Sequence, residues 1–292
     1  MNYMDTLIQK TTASVSVIVA NYNNGRYLKD FIGSVNESTM LPKELIIIDD
    51  GSLDNSIKIL NSCADLAYLK VIKFKKNRGF CEALNAGIEI ATGQYILRID
   101  PDDIIYADRI EKQVRFLEKH KNISVVGSNV IYFHDETKKE LFRSNFPIDH
   151  ADIQAEYMRG DHGVQHPSTM IRADVMKKYK YDQKNAKVED YELFARMIND
   201  GYRFANILEP LTKMRVHTQS VSSNIKYKTI KRTFEIRDEV FSTTSSLLKI
   251  QLYYWYILNY KKFLISKNHA AKPFFLSAAV ICNPTKALKR IF

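Results

Sequence analysis

The sequence predicts an α/β fold, a mostly parallel central sheet flanked by helices, followed by a C-terminal helical appendage. Short β-branched runs alternate with segments of helical period from Val15 to about Asp135, the pattern of strands joined by crossover helices. The runs are apolar throughout rather than alternating, as expected of strands covered on both faces. Between Thr229 and Glu239 the composition shifts, and the tail beyond is basic, aromatic-rich and helical in period.

In chain order, strands are expected at Val15–Ala20, Leu45–Ile48, Lys70–Phe74, Tyr95–Ile99 and Ser124–Val126, together forming the buried sheet. Between them, Leu28, Phe31, Ile32 and Val35 fall at i, i+3, i+4 and i+7, the stripe of a sheet-facing helix. Ala83, Leu84, Gly87 and Ile88 follow it in part, and Ile110, Val114 and Leu117 mark a third helix. The stretch from Ile131 to Lys187 is rich in His, Asp and Lys, and Leu193, Phe194, Met197 and Ile198 form one more helical stripe. With no internal repeat or low-complexity segment, the chain is expected to divide into a catalytic domain over 1–228 and a helical region over 229–292.

At 292 residues, 45% apolar and 26% charged, the chain can bury a full core and is not of disordered composition. Cys63, Cys81 and Cys282 are odd in number and never spaced C-x-x-C, so neither a disulfide framework nor a zinc knuckle is indicated, and a reducing cytoplasm fits. The first apolar run, Val15 to Ala20, follows Asp5 and is too short for a signal-peptide core. Neither Leu252–Leu258 nor Phe274–Cys282 approaches the ~20 residues that cross a bilayer.

Two clusters carry the chemistry. Ile46-Ile47-Ile48 runs into Asp49-Asp50-Gly51-Ser52, placing acids at the carboxyl edge of the sheet, where α/β proteins bind ligands. An acid there is able to accept the imide N–H of uracil, and the same pair also reads as plain turn caps. Tyr95-Ile96-Leu97-Arg98-Ile99 runs into Asp100-Pro101-Asp102-Asp103. Carboxylates so crowded repel one another unless a hard cation neutralises them, and Mg²⁺ or Mn²⁺ held by one or two carboxylates completes its shell with phosphate oxygens. Asp103 reads instead as the N-cap of the helix running to Leu117.

These clusters occur in order with Val15 to Asn23, Asn77-x-Gly79, Ala83-x-Asn85-x-Gly87, His166-Pro167-Ser168-Thr169-Met170-x-Arg172, Glu189-Asp190-Tyr191-Glu192-Leu193, and Arg215-Val216-His217 with Ser220 and Ser222. So arranged, residues 14 to about 224 resemble the family 2 glycosyltransferases. The resemblance implies a GT-A fold, a UDP-sugar donor, Mn²⁺ or Mg²⁺, inversion at the anomeric carbon and a glycan or lipid-linked acceptor, with bacterial-type surface polysaccharide or lipid-linked glycan as product. Carried over by position, it implies that Tyr22 stacks on the base, Asp50 binds uracil N3–H, Asn77 lies near the nucleotide and Asp100 faces the ribose. Asp102 binds the metal, His217 joins it or the phosphate, and Asp190 is the catalytic base. Ala20 stands where the family commonly has proline, at a strand end that touches the nucleoside. Arg78 is expected near the donor, and residues 131–187 on the acceptor side.

Asp190 also opens a helical stripe, where the macrodipole stabilises a carboxylate, although a Glu-Asp pair is equally an ordinary first-turn feature. His162 and His166 read as packed or surface histidines. A nucleotidyltransferase would carry a Gly-rich phosphate loop after its first strand, and Asn21-Tyr22-Asn23-Asn24-Gly25 is not one. The other reading is a non-catalytic module that binds anionic lipid or nucleic acid through its basic aromatic tail, with the acidic clusters structural. The formal charge is +10, and after Glu239 no acid follows while Lys249, Lys261, Lys262, Lys267, Lys272, Lys286, Lys289 and Arg290 remain. Interleaved with Tyr253, Tyr254, Trp255, Tyr256, Tyr260 and Phe263, they resemble an interfacial belt drawn to anionic lipid. That predicts a cytoplasmic enzyme, peripheral on the inner membrane face through residues 240–292, with no nucleic acid as partner.

Overall fold

The structure, a computed structural model, describes residues 11–217, 226–266 and 268–289. Asp5, Ser220, Ser222, Lys267 and Arg290 lie outside them. The chain divides into two compact units between His217 and Thr218, upstream of the 228/229 boundary that composition indicates.

The first unit opens with β1 (Thr11–Asn21), α1 (Gly25–Asn36), β2 (Met40–Asp49), α2 (Ser56–Asn61), β3 (Leu69–Lys73), α3 (Phe80–Ile90) and β4 (Tyr95–Arg98). β1 pairs in parallel with both β2 and β4, and β2 with β3. β5 (Ile104–Ile105), α4 (Arg109–Lys119), β6 (Val125–His134), β7 (Glu140–Arg143), α5 (His150–Arg159), β8 (Met170–Arg172), α6 (Ala173–Met176), α7 (Glu189–Asn199) and β9 (Phe204–Val216) follow. The nine strands form one sheet in the order β3-β2-β1-β4-β8-β6-β9-β5, with β7 beside β6.

The predicted strands fold because both their faces are covered. Val17, Val19, Leu45, Ile47 and Leu97 lie fully buried against Leu28, Phe31 and Val35 of α1, and each such side chain contributes roughly 1.5–3 kcal/mol by leaving water. Gly87 of α3 is packed so closely that a Cβ would come within 2.7 Å of Ile18 and Ile48. At the amino edge the buried Glu44 accepts hydrogen bonds from Ser16 Oγ (2.5 Å), Thr92 N (2.7 Å) and Lys70 Nζ (2.7 Å). Burial alone would raise its pKa, but these partners hold it down to about 2.

Three expectations need correction. β3 is a half-exposed edge strand that stops at Lys73 rather than Phe74, and β4 stops at Arg98 rather than Ile99. β6 does not end at Val126 but runs on to His134. Its polar Gly127-Ser128-Asn129 segment tolerates burial because the polar groups are paired: Ser168 Oγ accepts from Ser128 N (3.1 Å), and Asn129 Nδ2 donates to Leu208 O (2.8 Å). Within residues 131–187, β8 lies inside the sheet, antiparallel to β4 and β6.

The second unit comprises α8 (Tyr227–Phe241), α9 (Leu247–Ile265), α10 (Lys272–Cys282) and α11 (Pro284–Lys289). Phe234 packs on Ile250 and Tyr253, and Tyr256 on Ala279 and Ala287. Tyr253 and Tyr256 are therefore core residues and not members of an exposed belt; Lys286 Nζ lies 4.7 Å from the Tyr253 ring centroid. Exposed instead are Leu247, Leu248, Trp255 (48%), Phe274 (70%) and Ile281 (80%). Among the described residues no helix is long and apolar enough to cross a membrane.

Candidate active site

The parallel strands deliver polar residues to one edge of the sheet. At the end of β1, Asn21 Nδ2 donates to Asp49 Oδ1 (2.8 Å), and Ser52 closes the turn by donating from N to Asp49 Oδ2 (3.1 Å) and from Oγ to Oδ1 (2.6 Å). Asp49 is thus the turn cap. Asp50 does something else: its oxygens accept from Arg78 N (2.6 Å) and Gly79 N (2.8 Å), fastening the Asn77–Gly79 loop to the end of β2.

Two glycines make that junction possible. Gly51 has φ +71° and Gly79 φ +102°, in the region where a side chain is strained, and a Cβ on Gly51 would stand 2.6 Å from Lys76 C. Around the junction, Ala20, one residue before the end of β1, is buried, Tyr22 is 43% exposed, and Asn77 is exposed. The Arg78 guanidinium lies 4.6 Å from the Phe74 ring centroid and pairs with Glu82 at 3.1 Å.

Beyond β4, one ligand oxygen each from Asp100, Asp102 and Asp103 lies within 4.8 Å of the others. Asp100 is paired with the buried Arg98 at 2.7 Å, and Asp102 Oδ2 stands 3.0 Å from His217 Nε2. Asp103 is not a helix cap. Asp108 occupies the N-cap of α4, while Asp103 is buried, its Oδ1 accepting from Arg215 N (2.9 Å) and its Oδ2 having no hydrogen-bond partner among the described residues. Burial first, then the charges of Asp102 and Asp100, push the Asp103 carboxyl well above its ordinary value. Asp100 is pushed up by burial and by Asp102, with Arg98 pulling against them. The concentrated negative charge, one orphaned oxygen and all-oxygen donors suit a hard divalent cation.

Arg215 holds this group in place. It donates from Nε to Asp102 O (2.8 Å), pairs with Asp135 (2.8 Å) and Asp30 (3.2 Å), and lies between the rings of Tyr27 and Phe133. It thereby fixes the end of β9, two residues before His217. Sequence reasoning assigned Arg98 and Arg215 no role. A charged residue inside the apolar run Tyr95–Ile99 is the available signal for Arg98, because a buried arginine needs a carboxylate.

Asp190 sits in the first turn of α7, its Oδ1 accepting from Tyr191 N (2.8 Å). Its Oδ2 is 3.5 Å from His162 Nε2. Burial would raise its pKa, but the His162 charge and hydrogen bond, with the Tyr191 N–H, hold it well below the usual carboxylate range. Glu189 beside it is pushed up to about 7 by burial and by the Asp190 charge. The two neighbours are driven apart, as acid–base sites are. Asp190 also lies near enough for its charge to raise Asp100. His166 is a packed histidine, 2.7 Å from Tyr181 Oη and edge-on to Phe194.

Residues 16–180 match the family model described as Glycosyl transferase family 2. The amylovoran biosynthesis glycosyltransferase AmsE of Erwinia amylovora is 29% identical over 224 residues, 76% of this chain and 83% of that protein. The putative glycosyltransferase EpsE of Bacillus subtilis is 34% identical over 206 residues, 69% of this chain and 72% of that protein. Among solved structures, S. aureus TarS 1-349 in complex with UDP-GlcNAc has a TM-score of 0.65 at 16% identity, covering 94% of this chain and 82% of that one. The mannosyltransferase PcManGT of Pyrobaculum calidifontis, in complex with GDP-Man and Mn²⁺, has a TM-score of 0.60 at 15% identity, covering 95% and 79%. At such identities the structural likeness speaks for the fold. The family match ends before Asp190 and His217.

Proposed function

We propose that this chain, which belongs to the family 2 glycosyltransferases and has their GT-A fold, is an inverting enzyme that moves a sugar from a UDP-sugar to an acceptor hydroxyl. The observation that carries this reading is the convergence of Asp100, Asp102 and Asp103 at the carboxyl end of β4, with Asp190 close enough to perturb Asp100.

The carboxylate set fits Mn²⁺ or Mg²⁺; Asp102 and His217 would hold the ion, which would supply charge neutralisation for a leaving diphosphate. The chain's own groups do the rest. Tyr22 offers an exposed ring to the base. Asp50 keeps lone pairs beyond those used by Arg78 and Gly79 and accepts from uracil N3–H; Ala20, Asn77 and Arg78 are assigned to the nucleotide beside it, and Asp100 to the ribose. Asp190, held ionised, takes the acceptor proton as the acceptor oxygen bonds to the anomeric carbon. The carbon–oxygen bond to the diphosphate breaks on the opposite face, and its electron pair leaves with UDP. No covalent sugar–enzyme intermediate forms.

A panel of UDP- and GDP-sugars, assayed for release of the nucleoside diphosphate, tests the reading. UDP-sugar turnover that stops with EDTA and returns with Mn²⁺ or Mg²⁺ is expected; turnover confined to GDP-sugars, or indifferent to EDTA, would overturn the donor or the metal assignment.

The names of relatives support a surface-polysaccharide product: they include amylovoran biosynthesis and, for GgaB of Bacillus subtilis, minor teichoic acid biosynthesis. A surface polysaccharide or lipid-linked glycan acceptor places the enzyme on the cytoplasmic face of the membrane. The second unit supplies the means: Leu247, Leu248, Trp255, Phe274 and Ile281 are exposed on helices that carry lysines and no acid after Glu239. Each lysine near an anionic surface contributes about 1 kcal/mol, screened by salt. Full-length protein should float with phosphatidylglycerol vesicles, less at high salt, and protein ending at residue 228 should not. Equal flotation of both, or of neither, would contradict the membrane role and leave the catalytic one standing.

A further inference from the structure

We propose that His162 is the positioning and proton-accepting partner of Asp190, receiving at Nε2 the proton that Asp190 takes from the acceptor. This rests on the reading of Asp190 as the base.

The geometry is built rather than incidental. One oxygen of Asp190 is committed to Tyr191 N (2.8 Å), so the other, Oδ2, is the oxygen turned toward His162 Nε2 at 3.5 Å. The imidazole is edge-on to Tyr191 (centroids 5.5 Å apart, 74°) and to Tyr157 (6.2 Å, 61°). Both rings are fully buried, and Tyr191 is further held by its Oη donating to Tyr157 O at 2.5 Å. A ring clamped on two sides and aimed at one carboxylate oxygen resembles the base-and-orienter pairs of other acid–base sites, and catalytic contacts in unliganded structures commonly stand a few tenths of an ångström long. The His162 side chain is 40% exposed, so a proton it takes has a route to water.

The proton balance closes. The acceptor hydroxyl loses its proton to the Asp190 carboxylate as the new glycosidic bond forms and the donor's bond to diphosphate breaks. The proton then passes from Asp190 Oδ2 to neutral His162 Nε2, regenerating the carboxylate, and leaves the imidazolium for water.

The groups facing His162 set the sign of the pH dependence. Burial pulls its pKa down, but Asp190, its hydrogen bond and then Glu189, all at the start of α7, hold it above the ordinary histidine value. Burial keeps Tyr157 of α5 and His166 neutral, and the Tyr191 hydroxyl is turned to Tyr157 O. A raised pKa means that His162 is protonated below that value and unable to accept; activity should rise as pH climbs through it.

Two measurements on the full chain test this. With UDP-N-acetylglucosamine and Mn²⁺, water serving as acceptor, UDP release by the wild type should show an acidic limb above the histidine reference of about 6.5. His162→Ala should lose that limb and drop kcat on the order of tenfold with donor KM unchanged, and added imidazole should restore rate. In parallel, imidazole NMR titration needs no substrate: His162 should titrate high in the wild type and fall to or below the reference in Asp190→Asn. An unmoved His162 titration, or a His162→Ala profile that keeps the limb and ignores imidazole, overturns the proposal. Full turnover by Asp190→Asn would instead sink the base assignment beneath it.

Discussion

Replacing Asp190 by Asn should leave donor affinity in place and reduce sugar transfer by about 10²–10⁴-fold, the usual contribution of a positioned base. The amide keeps the size of the side chain and an oxygen for Tyr191 N–H, so α7 keeps its first turn. What it loses is a negative charge held ionised by His162 beside it, and with that the ability to accept a proton. The expected signature is a fall in kcat with little change in donor KM, which marks loss of an interaction made in the transition state. Turnover within a few fold of the wild type, at unchanged melting temperature, would remove Asp190 from the base role.

Much of the first unit is legible in the sequence. Val15–Ala20, Leu45–Ile48 and Tyr95–Ile99 are apolar runs that stop at acids or amides, and runs of that kind must be covered on both faces and must end at an edge. That places Asn21, Asp50 and Asp100 together without any knowledge of the sheet order. β9 is not legible in the same way. Asn206, Glu209, Pro210 and Thr212 interrupt its pattern, and it is a strand because tertiary partners satisfy them: Asn206 Nδ2 donates to Pro147 O (2.6 Å) and Gly163 O (2.8 Å), and Thr212 Oγ1 accepts from Arg109 (2.9 Å). Such pairings join residues scores of positions apart and have no local period.

Asp103 shows the same limit. An aspartate seven residues before a helical stripe looks like a cap, and only the backbone of Arg215, brought in from β9, makes it a buried member of the carboxylate group. The second unit is helical as its composition predicts, yet a lysine–aromatic alternation does not say which rings face inward. Tyr256 packs on Ala279 and Ala287, while Trp255, the next residue back along the same helix, is left outside.

The second large effect is expected at Asp102. The Asp102 charge raises the proton affinity of Asp100 and Asp103, so deleting its carboxylate relieves repulsion and should leave the melting temperature of the metal-free protein unchanged or higher. The cost should fall wholly on ligand binding, since Asp102 is the carboxylate that stands 3.0 Å from His217 and the pair is assigned the cation at the diphosphate. Isothermal titration of UDP into the wild type and Asp102→Ala, each with Mn²⁺ and with EDTA, measures this directly. The account predicts Mn²⁺-dependent UDP binding by the wild type, weakened on the order of 10–100-fold, about 1.4–2.8 kcal/mol, in Asp102→Ala and no longer sensitive to EDTA. Equal Mn²⁺-dependent affinity in the two proteins would contradict it.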